Sequence, residues 1–182
     1  MSELSVGQLR GLTVNSNVIT VPSGHTLYSP GHVVQVVQAV KTDTFSTAST
    51  SMTDITGLVA TITPRFATSK ILIQLNIGSV DVTTDNLIAG DVTRNGTVIG
   101  VGDAGPASVV RAGWGVGIVA GNKNLTPSYS FLDSPATISP ITYQARMKNY
   151  QGTGFLNRSS GETNSTTFSR TISTITLMEI AQ

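Results

Sequence analysis

The chain has no cysteine, two histidines and one tryptophan, and only 12% of its 182 residues are charged. Without cysteine there can be no disulfide framework, thiolate metal site or cysteine nucleophile, and the compartment is left open. The charged fraction is about half the ~25% usual for a soluble domain. Hydrophobic residues reach 39% and the formal net charge is +1; mean hydropathy is +0.14. A monomer so poor in charge is prone to association. The expectation is therefore a closed homo-oligomer whose copies cover one another. The eleven Lys and Arg are scattered and balanced by ten acids, so there is no basic stripe of the kind that displaces counterions from nucleic acid. No apolar run reaches membrane-spanning length, and no cationic segment precedes a short apolar one. Neither a membrane span nor a secretory signal is expected, so exit from a cell would follow lysis. Aromatic residues are 5%, few for a sugar-binding surface.

What the chain does have is strand pattern. From His32 to Val80 it reads as three strands, Val33–Asp43, Thr53–Thr63 and Lys70–Val80, with a break at Pro64–Ser69. In the third, Ile71, Ile73, Leu75 and Ile77 alternate with Gln74 and Asn76, the period of a half-buried strand. Asn86–Arg94 and Thr97–Val101 flank Asn95-Gly96, a hairpin signal because a type I′ turn needs positive φ at both centres. Gly113–Val119, Ser128–Leu132 and Ile141–Lys148 continue the series. The last of these has Thr142, Gln144, Arg146 and Lys148 on its polar side, read as a solvated face. Arg170–Ile180 closes the chain, but Ile172, Ile175, Leu177, Met178 and Ile180 do not keep one parity. Either a bulge shifts the register, or both faces are covered, one of them by a neighbouring subunit. This many short strands, regularly spaced turn signals and no convincing helix predict an all-β antiparallel sandwich.

Before it, Met1–Gly31 is of another kind. Met1–Leu12 has acceptable helix formers weakened by Gly7 and Gly11, Thr13–Val21 alternates, and Pro22-Ser23-Gly24 and Ser29-Pro30-Gly31 punctuate. The expected organisation is an extended arm, 1–31, for attachment or inter-subunit contact, and a β-sandwich, 32–182. Residues expected at partner interfaces are Leu9, Leu12, Val14 and Val18 of the arm, Trp114, and Ile175, Leu177 and Met178.

The order Pro30-Gly31-His32-Val33-Val34-Gln35-Val36-Val37, Lys41-Thr42-Asp43-Thr44-Phe45-Ser46, Asp54-Ile55-Thr56-Gly57-Leu58, Ile62-Thr63-Pro64 and Ser69-Lys70-Ile71-Leu72-Ile73 resembles fibre and decoration proteins of tailed bacteriophages, especially of marine and freshwater bacteria. Asn95-Gly96-Thr97-Val98-Ile99-Gly100 and Ser173-Thr174-Ile175-Thr176-Leu177-Met178-Glu179-Ile180 are similar to the same group. The resemblance covers most of Pro30–Ile180 as short strings. It implies a virion role, assembly in the host cytoplasm and a tumour-necrosis-factor-like jelly roll that usually forms a homotrimer. It implies as partners the chain itself and the phage major capsid protein or another virion protein.

Signs of chemistry are weak, and no cofactor is expected. His25 and His32, seven residues apart, have Asp43 and Asp54 as nearest acids in sequence, and a metal would need a third converging ligand. The Gly-x-Ser-x-Gly elbow is absent, and Glu3, Glu162 and Glu179 stand in no marked context for glycoside cleavage. Gly100-Val101-Gly102-Asp103-Ala104-Gly105 matches a dinucleotide fingerprint, but Pro106 stands where a helix should start, so a loop is expected. Asn95, Asn124, Asn157 and Asn164 head glycosylation sequons that, without a secretory signal, indicate only polar loops.

Three functions remain: a trimeric capsid decoration or cement protein gripping the shell through its base and arm; a tail-fibre tip that touches a host-surface glycan or protein; and an enzyme that cuts surface polysaccharide. A cement protein works by burial, with contacts of about 1,600 Å² repeated over a shell. A tail fibre needs an attachment domain and usually a shaft, and only about thirty residues precede the sandwich; unless a separate adaptor chain supplies the rest, this favours decoration, as does the shortage of aromatic rings.

Overall fold

The computed structural model describes residues 21–23, 25, 28–106, 109–118 and 124–182. Leu9, Leu12, Val14 and Val18, and the patterns noted over Met1–Leu12 and most of Thr13–Val21, lie outside them. Among the described residues there is no helix. The strands are β1 Val33–Lys41, β2 Phe45–Thr47, β3 Thr53–Ile62, β4 Lys70–Asn76, β5 Val80–Val82, β6 Asn86–Arg94, β7 Thr97–Ile99, β8 Trp114–Ile118, β9 Ser128–Asp133, β10 Ile141–Asn149, β11 Gly154–Leu156 and β12 Ser173–Ile180.

Every strand pairing among the described residues is antiparallel. One sheet runs β1-β12-β4-β9; the other runs β3-β10-β6, with β7 and β8 lying one after the other along the far edge of β6. If β7 and β8 count as one interrupted strand, and β2, β5 and β11 are set aside, the eight strands in chain order pair as 1-8-3-6 against 2-7-4-5. That is the double Greek-key order of a jelly roll. The short strands form a third sheet, β2-β11-β5.

Alternation decides what lies between the main sheets. Ile71, Ile73 and Leu75 of β4 and Ile175 and Leu177 of β12 face Ile62, Ile88, Val92, Ile141, Tyr143, Ala145 and Met147, all fully buried or nearly so. Each large apolar side chain contributes about 1.5–3 kcal/mol by leaving water. Asn95 and Gly96 have φ of 47° and 84°, so the hairpin between β6 and β7 turns as its dipeptide predicts. The Gly100–Gly105 tract is a loop, and Gly100 and Gly113 let backbone lie directly against Tyr129, where any side chain would clash. Trp114 lies over Gly90, 6% exposed, within the core cluster.

Three expectations need correction. Lys70–Val80 is two strands: the chain breaks at Ile77–Ser79, where Gly78 is wedged against Asn157, Thr171 and Ile172. The bulge that could explain β12 is in β1, between Val33 and Gln35, while β12 runs along β4 without a shift from Thr174 opposite Asn76 to Ile180 opposite Lys70. Met178 and Ile180 thus point outward because of strand parity. Nor is Arg146 a merely solvated cation. It forms two 2.8 Å hydrogen bonds to Asp91, a carboxylate only 2% exposed.

Two buried phenols make stability sensitive to alkali. Burial, with Asp133 and Asp91 nearby, pushes the Tyr129 hydroxyl up to about 12. Burial and a hydrogen bond to Asp133 also raise Tyr143. An unfolded tyrosine ionises near 10, so above about pH 10 the unfolded chain releases protons that the folded chain keeps. Stability is complete below that pH and falls as pH rises through the folded value. The urea midpoint should hold steady from about pH 8 to 10 and drop towards 12. Tyr129→Phe should make the drop shallower without destabilising at neutral pH, because the Tyr129 hydroxyl has no partner among the described residues.

Candidate functional site

In an antiparallel sheet, directly opposed residues share a face. Across the first sheet the pairings set Val36, Met178, Leu72 and Leu132 in one row, perpendicular to the strands and pointing away from the core. Val36 is 56% exposed and Leu132 46%, while Met178 and Leu72 between them are half-buried. The adjacent row is Gln38, Thr176, Gln74 and Ser130, in which the Gln38 amide donates to Thr176 Oγ1 at 2.8 Å. Beyond it lie Val40, Thr174, Asn76 and Ser128, with Val40 exposed. On the other side Ile180 stands opposite Lys70.

Lys70 is the only ionisable side chain at these outward positions. The outward face of the other sheet differs: it carries Arg146 paired with Asp91, together with Asp54 and Lys148, and Thr61 bonded to Thr142 at 2.8 Å. One face of the sandwich is thus laced with charge, and the other carries a single lysine and an apolar stripe. On a chain so poor in charge, this contiguous apolar row is the candidate contact surface.

Of the described residues expected at interfaces, Met178 alone stands on this face. Ile175 and Leu177 are fully buried and Trp114 nearly so, all in the core of this same chain. Val36, Leu72 and Leu132 were not anticipated. Each sits at an outward position of its own strand, and only the register of four distant strands shows that they adjoin.

The candidate chemical groups do not assemble. The His32 ring lies 3.0 Å from the Ser29 carbonyl, at the opposite end of β1 from Asp43, which pairs with Lys41 at 2.8 Å. Among the described residues no three His, Asp or Glu side chains converge as they would around a metal ion. The buried acids are engaged in structure. Asp133 receives both Arg94 and Tyr143. Asp81 accepts from Val82 N, Ser160 N and the Ser159 and Ser160 hydroxyls.

Double-sheet jelly rolls occur in viral capsid and lectin domains and in cupins, so the fold fits a virion protein without specifying one. No protein-family model matches the chain, and no curated protein matches it. Among solved structures, a chain described as "Structure of infectious bursal disease virus Gx strain" aligns at 13% identity with a TM-score of 0.41, over 91% of this chain and 41% of its own length. The present chain therefore spans about two fifths of that one.

Proposed function

We propose that the chain is a non-enzymatic structural protein of a bacteriophage particle: a homotrimeric capsid decoration or cement protein whose copies meet through the β1-β12-β4-β9 face. The observation that carries this reading is the charge-poor face with its row of Val36, Met178, Leu72 and Leu132. A chain with 12% charge has left this surface almost without ions, and a second copy supplies the cover it lacks. The arm, 1–31, is the grip on the major capsid protein. Its base is tied to the end of the chain: Gly31 N donates to Ala181 O at 2.8 Å, Ala181 N to His32 O at 3.1 Å, and the Tyr28 hydroxyl to Gln182 O. The arm therefore leaves from the end of the sandwich that holds the start of β1 and the end of β12.

Light scattering on the purified chain tests the assembly. A trimer would have three times the 19.0 kDa chain mass. Leu72→Asp and Met178→Asp should each cost about 3 kcal/mol of association, roughly a hundredfold, while lowering the folding stability of the monomer by only about 1 kcal/mol. Wild-type protein that runs as a monomer, or variants that assemble normally, would refute the interface. Location is tested by immunogold labelling of intact particles. Label over the head is expected, and label at the tail would replace decoration by the receptor-binding reading.

A further inference from the structure

At the end of the sandwich that holds the arm base, a cavity of about 450 Å³ opens between the start of β1, the end of β3 and the loop joining β9 to β10. It is lined by Gln35, Thr63, Pro64, Arg65 and Ile138, and its size falls within the range of small-molecule sites.

The walls are tied to one buried carboxylate. Glu179 of β12 is fully buried. Its Oε1 accepts from Arg65 N at 2.8 Å and Phe66 N at 3.2 Å, and its Oε2 accepts from Gln35 Nε2 at 2.6 Å. The same Gln35 nitrogen donates to Thr63 O at 2.7 Å. The turn is held further by Ser69 N on Phe66 O at 3.1 Å and by Tyr28 packed edge-on against Phe66 at 5.0 Å. β1 and the Pro64–Arg65 turn are therefore fixed relative to each other before any ligand arrives, which keeps the ordering cost of binding low.

Three groups at the cavity make no hydrogen bond or ion pair among the described residues: the Arg65 guanidinium, Gln35 Oε1 and the Thr63 hydroxyl. The chemistry of the cup is thus one cation on an anchored turn, two oxygens able to meet hydroxyl groups, and an apolar wall of Pro64 and Ile138, the latter 61% exposed. A guanidinium fork matches a carboxylate. A phosphate would need more donors, and the two nearest backbone N–H groups are already held by Glu179. A peptide added as a strand would need Thr63 O, which Gln35 occupies.

The geometry points to a binding site for a carboxylated sugar, one hexuronic acid unit. Its carboxylate sits on Arg65, its hydroxyls meet Gln35 Oε1 and Thr63, and its C–H face lies against Ile138 and Pro64. No aromatic platform contributes, so affinity is about millimolar. This inference stands apart from the assembly reading and applies equally at the head or the tail.

The test is a titration of the full chain, isotopically labelled, followed by its amide NMR signals, with sodium glucuronate, methyl glucoside and a di-uronate. Glucuronate should shift signals around Gln35, Thr63, Arg65 and Ile138 with half-saturation near about 1 mM. Methyl glucoside should bind roughly tenfold more weakly. Arg65→Gln should reduce glucuronate to the level of the neutral sugar without moving the unfolding midpoint, because Arg65 reaches Glu179 only through its backbone. Ile138→Glu, at an exposed position, should weaken binding in the same way. A di-uronate that binds roughly threefold more tightly assigns the site to a polymer, and equal binding assigns it to the free acid. No shift up to about 10 mM, equal binding of the neutral glucoside, or full affinity in Arg65→Gln would overturn the assignment.

Discussion

Replacing Asp133 by alanine is expected to lower stability by about 3 kcal/mol, one of the two largest single-residue effects predicted for this chain. Asp133 ends β9 in the first sheet, and its partners belong to the second. Arg94 Nη1 donates to both carboxylate oxygens, at 2.9 and 3.0 Å, and the Tyr143 hydroxyl donates to one of them at 2.8 Å. The carboxylate side chain is 7% exposed and Tyr143 is fully buried, so alanine leaves a phenol without an acceptor inside the sandwich. Arg94 is 32% exposed and recovers water when its partner is removed, which keeps the loss below that of a wholly buried pair. Asp133→Asn, which can still accept from Tyr143, should lose about half as much. Tyr143→Phe made in the Asp133→Ala background should cost less than in the wild type, since the bond it would break is already gone. Urea unfolding at neutral pH measures all four. A loss under about 1 kcal/mol for Asp133→Ala would show that this cross-sheet tie contributes little.

Much of the sandwich was legible because long strands with one wet face announce themselves. Ile71, Ile73 and Leu75 in β4 and Ile141 to Met147 in β10 alternate without interruption, and Asn95-Gly96 names its own turn. What the pattern could not carry is interaction across the chain. Glu179 stands in an ordinary strand sequence, yet its partners Gln35, Arg65 and Phe66 lie 144, 114 and 113 residues away. Asp91 and Arg146 are 55 apart. A period locates a face but not the residue opposite. The contact face was hidden for the same reason: Met178 seemed a break in the pattern of β12 until Leu72, Leu132 and Val36 came alongside it. The strands β2, β5 and β11 are three residues each, too short to show any alternation. That is why the sequence does not show the small sheet, while the polar stretch after it is loop in the structure, as its composition indicates.

That stretch contains the second large effect. Asn157 is fully buried with φ of 62°, and its side chain closes three segments at once. Nδ2 donates to Lys41 O at 3.1 Å and Asp43 O at 2.9 Å, and Oδ1 accepts from the Ser173 hydroxyl at 2.7 Å. Its backbone adds Asn157 N to Ser79 O at 2.7 Å and receives Thr171 N at 3.2 Å. The ends of β1 and β11 and the starts of β5 and β12 thus converge on one residue. Asn157→Ala removes every side-chain bond and leaves in the left-handed region a residue without the short polar side chain that makes that conformation tolerable, so about 3–4 kcal/mol should be lost. Asn157→Gly keeps the backbone at ease and should recover about 1 kcal/mol of that. Asn157→Asp tests the direction of the bonds. It has nearly the same shape and tolerates the same φ, but when ionised it turns an acceptor towards two carbonyls that require donors. Asp should therefore be as damaging as Ala at neutral pH and partly rescued below the carboxylate range, where a protonated oxygen can donate again. If Asp were tolerated at neutral pH, the two carbonyl contacts would contribute nothing, and the hold on β12 would rest on Ser173 alone.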